Sequence, residues 1–186
     1  MTTIPKRDRL IEAAKTLFYQ HGVTGTTLAD IAERAKVPLG NVYYHFRTKD
    51  ALIEAVVQAH VQELQSLLAR WEHWSDSRQR LLALLATARD EEHMLARYGC
   101  PHGSLCQEFD KDESQLAHMA AQIFQVYLDW AETQFLLLGK TEPEARDLAI
   151  DLISSLQGTY VLTASFRSPA LLERKLQRLE MWIRRL

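Results

Sequence analysis

Between residues 27 and 49 lie side chains that together suit one task, reading a polyanion with patterned edges. Gly40 leaves room for close approach, and Asn41 both donates and accepts hydrogen bonds. Tyr43, Tyr44 and His45 follow as a run of hydroxyl and imidazole groups. Thr27 and Lys49 stand to either side, a hydroxyl and an ammonium suited to holding phosphates and fixing a register. A helix in the DNA major groove needs small or adaptable residues in its first turn and donors at its flanks. Leu39 is the ambiguous member. Its helical angle puts it near the buried face, and turned outward it would meet a base only through a thymine methyl.

These side chains need a frame of short helices. Leu28, Ile31, Ala32 and Ala35 recur at i, i+3, i+4 and i+7, the buried stripe of a helix capped by Thr26 or Thr27. After the turn Lys36-Val37, Pro38 opens the next helix, which Val42 and Phe46 anchor. A first helix is expected over 6–21, with Leu10, Ala14, Leu17 and Phe18 inward and Gly22 ending it. Helices are then expected over 49–71 and 77–98, followed by a turn-rich loop over 99–104 and a short helix through Phe109. The polar stretch Asp110 to Glu113 separates that helix from one over 114–139, and another follows over 143–165. Ser168-Pro169 opens the last, where Leu172, Leu176, Leu179, Ile183 and Leu186 alternate spacings of four and three. That seam reads as a homodimer face, and the helix before it, apolar on two sides, as buried between partners. The expected fold is all-α, about nine helices, divided into a helix-turn-helix DNA-binding head over 1–50 and a ligand-binding and dimerisation body over 51–186.

The stretch TLADIAERAKVPLGNVYYHFRTKDALIEAV resembles the N-terminal signature of TetR-family transcriptional repressors. The residues that carry the resemblance are Thr27, Ile31, Ala32, Ala35, Val37, Gly40, Val42, Tyr43, Tyr44, His45, Phe46, Lys49 and Leu52. It covers roughly the first 50 residues. It implies a two-fold homodimer that binds a palindromic double-stranded DNA operator, with Thr27, Leu39, Gly40, Asn41, Tyr43, Tyr44, His45 and Lys49 on the DNA side. It also implies release by a small molecule held in the body. The apolar pair Pro38-Leu39 departs from the polar or small residues most relatives carry there.

The body offers Trp74, Phe109, Tyr127, Trp130 and Tyr160 as candidate lining for an apolar or planar effector. The segment YGCPHGSLCQEF resembles a Gly-Cys-x-x-Gly-x-Leu loop found in a subset of TetR-like repressors, some of which respond to electrophiles or unsaturated small acids. Cys100 and Cys106 are therefore candidates both for effector contact and for thiol sensing, because a helix N-terminus or an imidazolium lowers a thiol pKa. Simple turn packing is the competing reading. Cys100, His102 and Cys106 fit no common structural zinc spacing, so neither metal nor cofactor is expected.

Bulk properties agree. Residues 1–50 hold eight Lys/Arg against five Asp/Glu, a net +3, and the remainder holds 14 against 19, a net −5. A basic head on an acidic body suits a polyanion bound at one end. Phosphate-cradling glycine loops and nucleophile motifs are missing, so an enzyme is not expected. No apolar run reaches the length of a membrane span, and the start lacks a signal-peptide core, which together suggest a cytoplasmic protein without membrane partners.

Overall fold

The computed structural model describes residues 4–109 and 114–186; the polar stretch expected over 110–113 lies outside the described residues. The described residues form α-helices and no strands. In order these are α1 (Lys6–His21), α2 (Leu28–Ala35), α3 (Leu39–His45), α4 (Lys49–Ala69) and α5 (Ser77–Asp90). They continue as α6 (Glu92–Tyr98), α7 (Pro101–Phe109), α8 (Gln115–Leu137), α9 (Glu142–Phe166) and α10 (Pro169–Ile183).

The chain divides into two compact units, one of Met1–Glu63 with Ser104–Ile123, the other of Leu64–Gly103 with Phe124–Leu186. In the first, α1 packs on α2 and α3. Leu10, Ala14 and Phe18 of α1, Ile31, Ala32 and Ala35 of α2, and Val42 and Phe46 at α3 are all buried, as their spacing requires. The turn between α2 and α3 passes through Lys36, at φ +53°, and the N–H of Val37 closes on the carbonyl of Ala32 at 2.9 Å. This is the left-handed exit that ends many helices.

In the second unit α10 packs on α5, α6 and α9, and α6 on α9. Leu81, Leu85, Leu95, Leu152, Leu156, Leu172, Leu176 and Ile183 form its core. Arg89 ties α5 to α10, with Nε 2.8 Å from Glu173 Oε2 and Nη2 2.7 Å from Glu180 Oε1.

Three expectations change. The helix expected over 77–98 breaks at Glu91, whose ψ of 11° leaves the helical range. Asp90, Glu91 and Glu92 place three carboxylates together, unfavourable at the end of α5 and favourable at the start of α6. The loop expected over 99–104 shrinks to Gly99 and Cys100. Gly99, at φ +79°, ends α6, and Pro101 is already the first residue of α7. The seam on α10 faces inward: Leu172, Leu176 and Ile183 are fully buried and Leu179 nearly so. It belongs to the chain's own core, so these side chains are not a homodimer face.

Candidate nucleic-acid interface

Helix α3 has two sharply different sides. Val42 is 0% exposed and Phe46, just past its end, 3%, while Leu39 is 43%, Tyr43 53% and Tyr44 84% exposed. Arg7 of α1 covers the Phe46 ring, its guanidinium carbon 5.3 Å from the centroid. Two apolar anchors thus fix a seven-residue helix that could not persist alone. Large apolar groups left in water on a fixed helix mark a contact surface. At 43% exposed, Leu39 turns outward, which resolves its ambiguous helical angle. A Cβ at Gly40 would meet nothing within 4 Å, so the fold itself does not demand glycine there. Asn41 is half-buried and its N–H bonds the Pro38 carbonyl at 2.8 Å. His45 is half-buried and presents its ring edge to Tyr44, centroids 5.1 Å apart and planes at 83°.

Two expected phosphate contacts have duties inside the fold. The Thr27 hydroxyl donates to Asp30 Oδ2 at 2.7 Å and accepts from the Asp30 N–H at 3.2 Å, while the Thr27 N–H donates to the same carboxylate at 2.8 Å. This capping box starts α2. Those bonds to Thr27, with His21 and Lys49 nearby, hold the Asp30 carboxyl below its ordinary range. Thr27 is therefore first a cap, because its hydroxyl proton is already committed. The Lys49 ammonium donates to the Val23 carbonyl at 2.5 Å and ties the start of α4 to the loop between α1 and α2. An ammonium has three donors, so two remain for a phosphate.

Sequence reasoning passed over two exposed cations that flank α3, Lys36 in the turn before it and Arg47 just after it. Their positions in the sequence were sufficient to suggest them. It also passed over Glu108, whose carboxylate accepts from the N–H groups of Val23 at 2.7 Å and Thr24 at 3.2 Å. No sequence signal links residues so far apart.

The candidate effector residues fall in both units. Cys106 and Phe109 lie in the unit that contains α3, where Cys106 Sγ donates to the Ala120 carbonyl at 3.3 Å. Trp74, Cys100, Tyr127, Trp130 and Tyr160 lie in the other. There Tyr127 Oη is 3.3 Å from His102 Nδ1, and its ring is 6.3 Å from Phe124. Trp130 packs against Trp71 with centroids 5.7 Å apart, and its Nε1 is buried without a hydrogen-bond partner. Tyr160 is buried, whereas Trp74 is half-buried and meets His73 edge-on.

Cys100 Sγ accepts from the Gly103 N–H at 3.4 Å, as a serine hydroxyl would at the start of a helix. A Cβ on Gly103 would come within 2.9 Å of Gln157 Oε1, so a side chain there would displace Gln157. Burial pushes the Cys100 thiol up, against the lowered value that thiol sensing requires. Burial likewise raises Tyr127 and Tyr160, so both phenols stay neutral, and it also pushes the Glu91 carboxyl up. Among the described residues no group of His, Cys, Asp or Glu is arranged to hold a metal ion.

Residues 10–56 match the family described as "Bacterial regulatory proteins, tetR family". The chain is 38% identical over 105 residues to the "Probable HTH-type transcriptional regulator ArpR" of Pseudomonas putida, covering 56% of this chain and 41% of that protein. It is 26% identical over 148 residues to the "HTH-type transcriptional repressor KstR2" of Rhodococcus jostii, covering 76% and 66%. A TetR transcriptional regulator from Legionella pneumophila shares the fold, with a TM-score of 0.84 at 19% identity over 97% of this chain and 98% of that one. Residues 10–56 therefore match the DNA-binding segment of the TetR family, and the chain as a whole shares the fold of a solved TetR regulator. It spans about two-fifths of the length of the first curated relative, and these relatives are named as regulators rather than enzymes.

Proposed function

We propose that this protein is a ligand-responsive transcriptional repressor that binds a palindromic operator as a homodimer, with α3 in the major groove. The observation that carries this is the outward side of α3. Leu39, Tyr43 and Tyr44 are exposed on a helix whose other side is locked in the core, with open space at Gly40. Gly40, Asn41, Tyr43 and Leu39 face the bases; Tyr44, His45 and Lys49 hold phosphates, joined by Lys36 and Arg47, while Thr27 orients α2. The functional division is a head over 1–50 and a body over 51–186, in the cytoplasm. No helix among the described residues is long and apolar enough to cross a membrane.

The homodimer forms through the outward sides of α9 and α10. Val161, Leu162 and Phe166 of α9 and Met181 of α10 are at least half exposed, and a Cβ at Gly158 meets nothing within 4 Å, so a second helix can come close. The effector is a neutral, largely apolar molecule bound by the Tyr127, Trp130 and Tyr160 region. Groups held neutral there, and the unpartnered Trp130 Nε1, suit an uncharged ligand with a hydrogen-bond acceptor. A ligand that favours a wider separation of the two heads shifts the population away from the DNA-binding form.

The test is binding to DNA flanking the protein's own gene across a salt series. Affinity should fall steeply as salt rises, because phosphate contacts release counterions. Light scattering should give twice the 21.4 kDa chain mass. Binding that is absent or insensitive to salt refutes the reading. An effector should lower affinity in the same assay, and Tyr160→Phe or Trp130→Phe should weaken its effect.

A further inference from the structure

The loop between α1 and α2 is held from both sides of one residue. Val23 is buried, 6% exposed, so its amide groups need partners within the protein. Its carbonyl takes the Lys49 ammonium at 2.5 Å, and its N–H goes to Glu108 Oε2 at 2.7 Å, with the Thr24 N–H at 3.2 Å from the same oxygen. The preceding residue is shaped to this contact. Gly22 stands at φ +77°, and a Cβ there would lie 3.1 Å from Glu108 Oε1. Thr26 closes the loop by donating to the Gly22 carbonyl at 2.7 Å. Glu108 is itself seated on α7, which the Cys106 thiol ties to the Ala120 carbonyl of α8.

We infer that Glu108 is a positioning residue for the DNA-reading helices: its carboxylate fixes the loop from which α2, and through the α2–α3 turn α3, takes its direction. The inference rests on the DNA-binding reading of α3. It differs from ordinary stabilisation in its consequence. The side chain of Glu108 is exposed, so its removal leaves the apolar core intact. What it removes is a charged acceptor for two adjacent backbone donors, 85 residues away in sequence from the first. The loop then samples other directions, and two recognition helices that must fit one turn of DNA apart lose their common register.

The experiment compares wild type with Glu108→Gln, Glu108→Asp and Glu108→Ala in two readouts. The first is the amide spectrum and hydrogen exchange of Val23, Thr24 and α3, without DNA. The second is affinity for a duplex selected by the wild-type protein from a random pool, set against bulk genomic DNA. Glutamine keeps the reach and an oxygen acceptor; aspartate keeps the charge and withdraws it by one methylene. E108Q should stay close to wild type. E108D and E108A should expose the Val23 and Thr24 amides, shift α3 resonances, and lower selected-duplex affinity roughly tenfold, a usual size for coupling between sites. Bulk-DNA affinity and melting temperature should change little. Unchanged amides and affinity in E108A and E108D overturn the inference. So does a loss in all three variants that tracks melting temperature. If wild type binds no DNA yet E108D still shifts α3, the positioning role stands and the DNA-binding reading fails.

Discussion

Acid should loosen the α3-containing unit through one histidine. His60 on α4 has its pKa pushed down to about 4, first by burial and then by Lys15 of α1. Lys15 is held beside α4 by Glu12 at 3.1 Å and by Glu63. In the unfolded chain His60 titrates near its ordinary 6.5. Between these values the unfolded state binds the proton and the native state does not, so stability rises with pH across the window. The contribution is fully present above 6.5 and is lost as pH falls towards 4. At about 1.4 kcal/mol per pH unit at most, the loss over the whole window is roughly 3 kcal/mol. His60→Gln keeps similar size without a titrating ring, and its stability should change less between about pH 7 and pH 4.5. Urea unfolding must be followed by circular dichroism or by exchange of α1 and α4 amides. All four tryptophans lie in the other compact unit and would report on that unit instead. Equal pH slopes for wild type and H60Q, or a wild type that gains stability in acid, would refute the reasoning.

Thr27→Ala removes the cap that starts α2 and should cost about 1 kcal/mol of stability, read by urea denaturation, with faster exchange in the first turn of α2. Phe135→Ala empties a fully buried site against Trp182, whose ring centroid is 5.9 Å away, and should cost about 3–5 kcal/mol, read by tryptophan fluorescence. Arg89→Met separates α5 from Glu173 and Glu180 on α10. These groups are about a third exposed, so the loss should be about 1 kcal/mol or less and should shrink as salt is added. Leu39→Gln should leave thermal stability within about 0.5 kcal/mol, because the side chain is already half in water. It should also erase a thymine preference at one position of each half-site in a random-pool selection, and identical selected sequences would refute the outward reading of Leu39.

How far each feature could be read from sequence follows from the range over which its cause acts. The apolar stripes of α1 and α2 and the Val42/Phe46 anchor were legible because one helical turn relates the residues involved. The capping pair Thr27/Asp30 lies within the same span: the sequence names Thr26 or Thr27 as the cap, and the structure settles it on Thr27, which the sequence also offers to phosphate. The α10 seam shows where periodicity stops being informative. Leu172, Leu176, Leu179 and Ile183 state that one side is buried, and the same spacing serves a partner chain or the chain's own α5, α6 and α9 equally well. Here the chain's own helices fill that side, which leaves the proposed contact with a second copy to the outward residues of α9 and α10.

The same distinction separates the legible part of the proposed DNA-reading site from the hidden part. Tyr43, Tyr44 and His45 announce themselves by being polar or aromatic on a short helix. The groups that aim that helix act on backbone amides, and backbone amides carry no residue identity. Val23 could be any apolar residue and still need an acceptor for its N–H and a donor for its carbonyl. Nothing in a valine points to a glutamate 85 positions away or to a lysine 26 positions away. Gly22 is the one trace left in the sequence, since a side chain there would meet both a left-handed backbone and the Glu108 carboxylate. It was read only as the end of α1, because a glycine after a helix already has a sufficient local reason. A residue with a local reason conceals a long-range one, and the two can be separated only by structure or by substitution at the distant partner.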